Sequence, residues 1–395
     1  MRQSRVTLRA FVLILLCIEF WDEFVGGVRE AVWPLIRDDL GLTYFQIGLL
    51  MSLPGIVSSV VEPVLGILGD VWKRRVLILG GGVVFALSLL LTGVSYHVAV
   101  LLLSFALFNP ASGAFVSLSQ ATLMDVAPDR REQNMARWTL AGSLGVVAGP
   151  LLVGAAMALH LGWRTLFLGS AVLTVGLLTL SWRAPFPNGG GELSLSDFKV
   201  GVGEALRALR RGAVLRWLIL LAFSDLMLDV LLGYLALYMV DVGQVSVAQA
   251  ATAVAVWSGV GLLGDVLLIP LLERVSGLRY LRVSAVLELG LFTGFLLTPS
   301  FPLKLVLLAL LGFFNSGWYS ILKAQSYASL PEGSGVAMAV DNLFGLVGAL
   351  IPWGLGLAAE SWGLQTAMWL LLAGPLALLI GLPSKNFTQR RKDAN

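Results

Sequence analysis

The stretch Glu19-Phe-Trp-Asp-Glu-Phe-Val-Gly-Gly-Val-Arg-Glu30 lies inside an apolar run that extends from Leu8 to Trp33. About 20 apolar residues cross the hydrocarbon core of a bilayer, so this run is long enough to span one. It nevertheless carries Glu19, Asp22, Glu23, Arg29 and Glu30. At 3.6 residues per turn, positions 19, 22, 23, 26, 29, 30 and 33 share one helical face. Gly26 in that stripe admits a close approach by a neighbouring helix or a solute. A charge at the bilayer centre costs about 3 kcal/mol or more, so intramembrane acids turn towards a protein interior or a wet cavity. A purely structural alternative puts Arg29 and Glu30 near the outer end and pairs the acids with Arg29 or with lysines elsewhere. The acids outnumber the arginine, local pairing cannot neutralise them all, and the stripe reads as the lining of a pathway.

The composition supports a membrane setting. Of 395 residues, 57% are hydrophobic and 13% charged, with a mean hydropathy of +0.85. Soluble proteins are about 25% charged, so a polytopic membrane protein is expected. The first run is too long, and too acidic, for a cleavable signal peptide. One cysteine, Cys17, excludes an intramolecular disulfide and a cysteine metal site. His97 and His160 fall in short outer loops, and no metal site is expected. The absence of an HExxH, a G-x-S-x-G and a P-loop removes support for a membrane hydrolase or an ATP-driven pump.

Charges, prolines and glycines divide the chain into twelve apolar segments, at 8–33, 44–69, 76–96, 98–124, 136–159, 163–182, 215–240, 246–271, 280–298, 303–323, 335–359 and 364–382. The fold class that follows is an all-α membrane protein of twelve transmembrane helices, because lipid forces every backbone polar group to be satisfied internally. Between segments six and seven runs a long polar connection with Pro185, Pro187 and Gly189-Gly190-Gly191, then the basic piece Ala205–Arg211. The chain accordingly divides into an N-terminal six-helix bundle (1–184), a cytoplasmic linker (185–214), a C-terminal six-helix bundle (215–384) and a cytoplasmic tail (385–395). With the N-terminus inside, 23 of the 27 basic residues lie on inner segments; Arg37, Arg164 and Lys304 lie outside and Arg29 in the membrane. The positive-inside rule therefore places both termini in the cytoplasm, in a cell membrane.

A shift of 203 positions superposes Asp22 on Asp225, Gln46 on Gln249, Glu62 on Asp265 and Asp70 on Glu273, and Gly142 and Gly145 on Gly345 and Gly348. Acid on acid in three separate segments indicates a parallel repeat. Two such halves are related by an axis along the membrane normal, with a cavity between them.

Gly66-Ile-Leu-Gly-Asp70-Val-Trp-Lys-Arg74-Arg75 resembles the signature loop of the major facilitator superfamily, matching its glycine, aspartate and terminal basic pair. Val71 stands where the family usually has a basic residue, and Lys73 where it has a glycine. Glu273-Arg274-Val-Ser-Gly277 looks like a degraded second copy. The resemblance implies the major facilitator fold, two pseudo-symmetric bundles, and a loop that latches the halves on the inner side. With Val71 in place of the basic residue, the loop lacks one charged member of that latch. Gly145-Val-Val-Ala-Gly149-Pro150-Leu-Leu-Val-Gly154 resembles the glycine-proline motif of the drug–proton antiporter branches, which favours export. Its residues also suit plain packing, with Gly145 and Gly149 as a small-residue face and Pro150 as a bend. The stretch Pro34–Gly48, followed by Glu62-Pro63, is similar to the fosmidomycin-resistance type of exporter.

These features lead us to expect a secondary transporter, not an enzyme, that exports a small organic compound or drug in exchange for protons. The alternatives are a proton-coupled nutrient importer on the same fold and a non-transporting receptor. Asp22 or Glu23, with Glu19 third, would carry the proton. Neighbouring carboxylates in a partly dry cavity disfavour their own ionisation, and approach of Arg29 favours it again. Glu30, Asp225 and Asp229 complete the expected cavity lining. Asn109, Gln120, Asn315 and Gln325 are candidate substrate contacts or simply bonds between helices. Glu62 and Asp265 suit a gate or a salt bridge, and Asp341 a pair with Lys323. Trp21, Trp33, Trp257, Trp318 and Tyr319 suit packing or interface anchoring more than solute contact. The expected partners are a small molecule and the bilayer, with no nucleic acid and no cofactor beyond the proton, and the protein is expected to be a monomer.

Overall fold

The computed structural model describes residues 2–71, 73–126, 131–182, 184, 186, 211–329 and 345–383. Among them there is no strand. The helices are α1 (Arg2–Leu40), α2 (Tyr44–Val71), α3 (Arg74–Gly93), α4 (Val98–Asp125), α5 (Arg131–Ala158) and α6 (Trp163–Ser181). They continue as α7 (Gly212–Asp241), α8 (Val247–Leu272), α9 (Gly277–Leu297), α10 (Phe301–Ser326), α11 (Ile351–Trp362) and α12 (Leu364–Gly381). Ten helices among the described residues are long and apolar enough to cross a membrane. Helix α1 is longer still but bears the charged stripe, and the first half of segment eleven lies outside the described residues. So do most of the linker, the tail after Pro383 and Asp341.

Segment one overran its expected limits in both directions. Pro34 sits inside α1 and the helix continues through Arg37, Asp38 and Asp39 before Gly41, at φ +62°, ends it. Polar residues continue a helix readily once it leaves the lipid, so apolar length underestimates helix length. The matched glutamines have a local explanation. Gln46 accepts from the Thr43 amide at 3.1 Å, and the Gln46 amide donates to Thr43 Oγ1 at 3.3 Å. Gln249 and Ser246 repeat the arrangement at the start of α8. Both are capping boxes that satisfy orphan amides at helix starts.

Small residues set the packing. A Cβ added to Gly149 of α5 would lie 2.5 Å from the Phe24 carbonyl oxygen of α1, and one on Gly27 2.6 Å from that of Val146. The two backbones are therefore in direct contact, as small residues permit in membranes. In the second half Gly264 of α8 faces the Phe313 carbonyl of α10, and Gly374 of α12 faces that of Phe223 on α7.

Four of the described helices are irregular, α12 by a 3-10 turn at Trp369–Leu372. Helix α4 contains a π-helical turn at Gly113–Ser117 and α7 one at Leu226–Val230. Helix α10 breaks at Ser316-Gly317, where Gly317 has φ +73°. Gly113 and Ser316 are related by the same 203-residue shift, so α4 and α10 depart from regularity at equivalent places. Each break faces the repeated acid. Glu62 packs against Gly113, and Asp265 Oδ1 accepts from the Gly317 amide at 3.1 Å. Asp265 thus bonds to the break in α10, whereas Glu62 packs beside the π-helical turn of α4.

Candidate functional site

A cavity of about 380 Å³ lies between the two halves. Helix α1 contributes Glu23, Gly26, Gly27, Arg29, Glu30 and Trp33, while α2 adds Leu50, Met51 and Pro54. Asn109 of α4 and Val146 of α5 complete the first-half wall. Opposite them stand Asp229, Val230, Leu232 and Gly233 of α7, Val254 and Ser258 of α8, and Pro352 in the first turn of α11. The stripe at positions 23, 26, 29, 30 and 33 therefore faces the cavity as its spacing indicates. A Cβ on Gly26 would meet nothing within 4 Å, which leaves the backbone open to a solute there.

Polar contacts in the cavity are sparse. Arg29 Nη2 lies 3.4 Å from Glu30 Oε1, and Trp33 Nε1 donates to Glu30 Oε2 at 3.2 Å. The Arg29 guanidinium also sits over the rings of Phe108 and Phe105, at 5.3 and 5.9 Å from their centroids. This arrangement holds the cation between an acid and two aromatic faces. Asp22 lies behind the wall, where Ser112 Oγ of α4 donates to its Oδ2 at 2.9 Å. Its other oxygen, Oδ1, is buried and has no hydrogen-bond partner among the described residues. Asp225 and Asp229, one turn apart in α7, interact directly with each other. The π-helical turn at Leu226–Val230 carries Asp229 to the cavity, and such turns recur at functional sites.

Other sequence candidates fall elsewhere. Glu19 is buried between α1 and α5, against Gly142, and does not line the cavity. Asn315 donates from Nδ2 to the Met227 carbonyl at 3.1 Å, which makes it a bond between helices. Gln120 reaches Met135 Sδ on α5 at 3.6 Å, and Gln325 lies outside the cavity lining. Of the four amides, Asn109 alone faces the cavity. Gly145 and Gly149 press on α1, whereas Gly154 meets nothing within 4 Å. Trp33, whose residue type suited packing or anchoring but whose position lies in the stripe, lines the cavity. Ser258, also in the wall and with a hydroxyl that has no partner among the described residues, gave no sequence signal, since one serine in an apolar helix is unremarkable on its own.

The signature-loop arginines bond within their own half. Arg74 Nη1 lies 2.6 Å from Asp125 Oδ2 at the end of α4, and Arg75 donates to the Trp182 carbonyl after α6. Glu273 and Arg274 are exposed, and the side chains of Gly66 and Asp70 lie outside the described residues. At the end of the molecule away from the termini, the halves do meet. Arg37 of α1 pairs with Asp241 of α7, Tyr44 Oη donates to the same carboxylate, and the Tyr44 amide donates to Glu360 of α11 at 2.9 Å. About two turns further in, the Trp353 amide donates to Ser52 Oγ at 2.9 Å, and Gly48 abuts the Pro352 carbonyl. The far end is closed by these contacts.

Comparison with known proteins bears on this geometry. The family model described as Major Facilitator Superfamily matches residues 24–352. The chain is 25% identical over 394 residues to a "probable sulfoacetate transporter SauU" of Cupriavidus necator, covering 91% of this chain and 90% of that protein. It is 22% identical over 179 residues to the "multidrug export protein EmrB" of Haemophilus influenzae, covering 44% of this chain and 35% of the relative. A "chloramphenicol resistance protein" of Pseudomonas aeruginosa is 28% identical over 184 residues, covering 45% and 43%. The chain thus spans less than half the length of these two relatives. Among solved structures, the nucleoside transporter NupG superposes with a TM-score of 0.76 at 16% identity, covering 94% of this chain and 98% of that one. A bacterial homologue of the human lysosomal transporter Spinster, in an inward-facing state, gives 0.73 at 18% identity, with 96% and 95% covered.

Proposed function

The chain belongs to the Major Facilitator Superfamily, and from that premise we propose that it is a proton-coupled exporter of a small cationic or amphipathic organic compound. The observation that carries this reading is the cavity itself: Glu23, Glu30 and Asp229 face one guanidinium, that of Arg29, in a space shut at one end. An excess of carboxylates in a partly dry space favours either a bound cation or bound protons, and the two compete. That competition is the basis of exchange. Asp22, with one buried oxygen unpartnered, and Glu23 in the wall are the proposed proton carriers.

The division into an N-terminal bundle, a linker and a C-terminal bundle at 1–184, 185–214 and 215–384 is part of the proposal. So are cytoplasmic termini, which follow from the basic inner segments, and a monomeric transporter, since one chain supplies both halves. With that orientation the closed end is external, and the structure corresponds to the inward-facing limb of the cycle. Similarity to a multidrug export protein and to a chloramphenicol resistance protein, together with the Gly145–Gly154 motif, supports the outward direction.

The test is proton release from purified protein in detergent as lipophilic cations are added, with Asp22→Asn beside the wild type. Release in the wild type alone supports the reading. Binding of a cation without release from either protein would refute proton exchange. One observation favours a second reading. Arg29 faces the cavity, and the relative matched over nearly its full length is named for an organic sulfonate. On that reading Arg29 binds an anion that enters with a proton, and sulfonate binding lost in Arg29→Gln would establish it.

A further inference from the structure

A second concavity, larger than the central cavity, lies apart from it. It is a groove of about 940 Å³ between α3 and α6, and neither helix lines the central cavity. Its walls are Val83, Leu87 and Leu90 of α3 and Val172, Val175 and Leu180 of α6. Ala86 and Ala171 form part of its lining, and their short side chains leave the depression between the longer ones. From Ala171 to Trp182 the groove follows about 16 Å of α6 at 1.5 Å per residue. Val172 is 71% exposed and Leu180 65%, so the apolar walls look outward to the bilayer.

The chemistry changes at one end. Trp182 closes the groove on the side of the linker, and its carbonyl accepts a hydrogen bond from Arg75. Arg75 and Lys73 are both exposed at the start of α3. A tryptophan with flanking cations marks the membrane interface, and exposed basic residues there attract anionic headgroups. An apolar trough of acyl-chain length that ends at a guanidinium matches one molecule, a lipid with a negative headgroup.

We propose that the α3–α6 groove is a binding site for an anionic glycerophospholipid, with an acyl chain along Val83, Leu87, Val172 and Val175 and its phosphate at Arg75. The site is independent of the transported compound. Occupancy there would tie the start of α3 to the end of α6.

The test is native mass spectrometry of the full chain in detergent, titrated with phosphatidylglycerol and, separately, phosphatidylcholine. The wild type should retain phosphatidylglycerol roughly fivefold more tightly, the scale expected for one basic contact. Arg75→Gln should abolish the preference and Arg75→Lys should keep it. Val172→Trp, on an exposed wall and without effect on the helix contacts, should weaken both lipids. An unchanged preference in Arg75→Gln would overturn the proposal. So would unaltered binding in Val172→Trp, or a second protein copy in place of lipid that Val172→Trp displaces.

Discussion

Asp22 joins two facts that no other acid in the stripe combines: one oxygen is bonded to Ser112 and the other is buried with no partner among the described residues. Asp22→Asn keeps the shape and the Ser112 contact but cannot release a proton. We expect it to lower proton-driven transport by at least about tenfold, equivalent to 1.4 kcal/mol, while cation binding to the purified protein persists. Counterflow, which needs no net proton movement, should survive in the variant and separates loss of coupling from loss of fold. Glu288 is a contrasting acid. It is fully buried on α9, and neither oxygen has a partner among the described residues. An isolated buried ion is too costly to maintain, so Glu288→Gln removes no ion pair. Its thermal unfolding should stay within about 1 kcal/mol of the wild type, the scale of one hydrogen bond. A collapse in stability would show that the acid has a charged partner. The sequence pointed to Asp22 because it lies in a charged stripe, and it passed over Glu288 because a lone acid in an apolar helix has no periodic context.

At the scale of the element, the glycines of α5 separate packing from decoration. Gly149 touches the α1 backbone while Gly154 faces open space. Gly149→Leu should destabilise the protein by about 1–3 kcal/mol or more, the range for overpacking a tight contact, and Gly154→Leu should leave it nearly unchanged. Melting of the two variants in the same detergent is the comparison, and equal losses would refute the contact model. The breaks in α4 and α10 belong to this scale too. The repeated acids Glu62 and Asp265 were legible as a pair in sequence, yet their task was not. An acid that supports a helix break and an acid that gates a pathway have the same one-letter code, and only the Gly317 amide at 3.1 Å tells them apart.

For the whole molecule, the contacts at the far end hold the two halves together. Arg37 and Asp241 are both largely buried there, with side chains 17% and 18% exposed. Arg37→Ala strands the Asp241 carboxylate, leaving it only the Tyr44 hydroxyl. A hydrogen bond to a charged group contributes about 1.5–3 kcal/mol, so the balance should move roughly tenfold or more towards opening at that end. Distances between spin labels placed on the outer ends of α1 and α7 would report the shift, and unchanged distance distributions would rule out a latch. Exchanging the charges, Arg37→Asp with Asp241→Arg, should restore closure.

The sequence by itself determined the helices, their order and their repeat, because lipid allows few solutions for a backbone and because helical spacing is a local property. It also placed Glu23, Arg29 and Glu30 on one face, since periodicity within a single helix fixes which residues share a side. What only the tertiary structure decided was which polar groups meet across helices: Asn109 in the cavity and Asn315 against a carbonyl, Ser112 on Asp22, and Arg37 on Asp241. Those contacts join residues up to 204 positions apart. They depend on how close two helices pack and on how far each is rotated, and neither quantity is encoded in the spacing along either one.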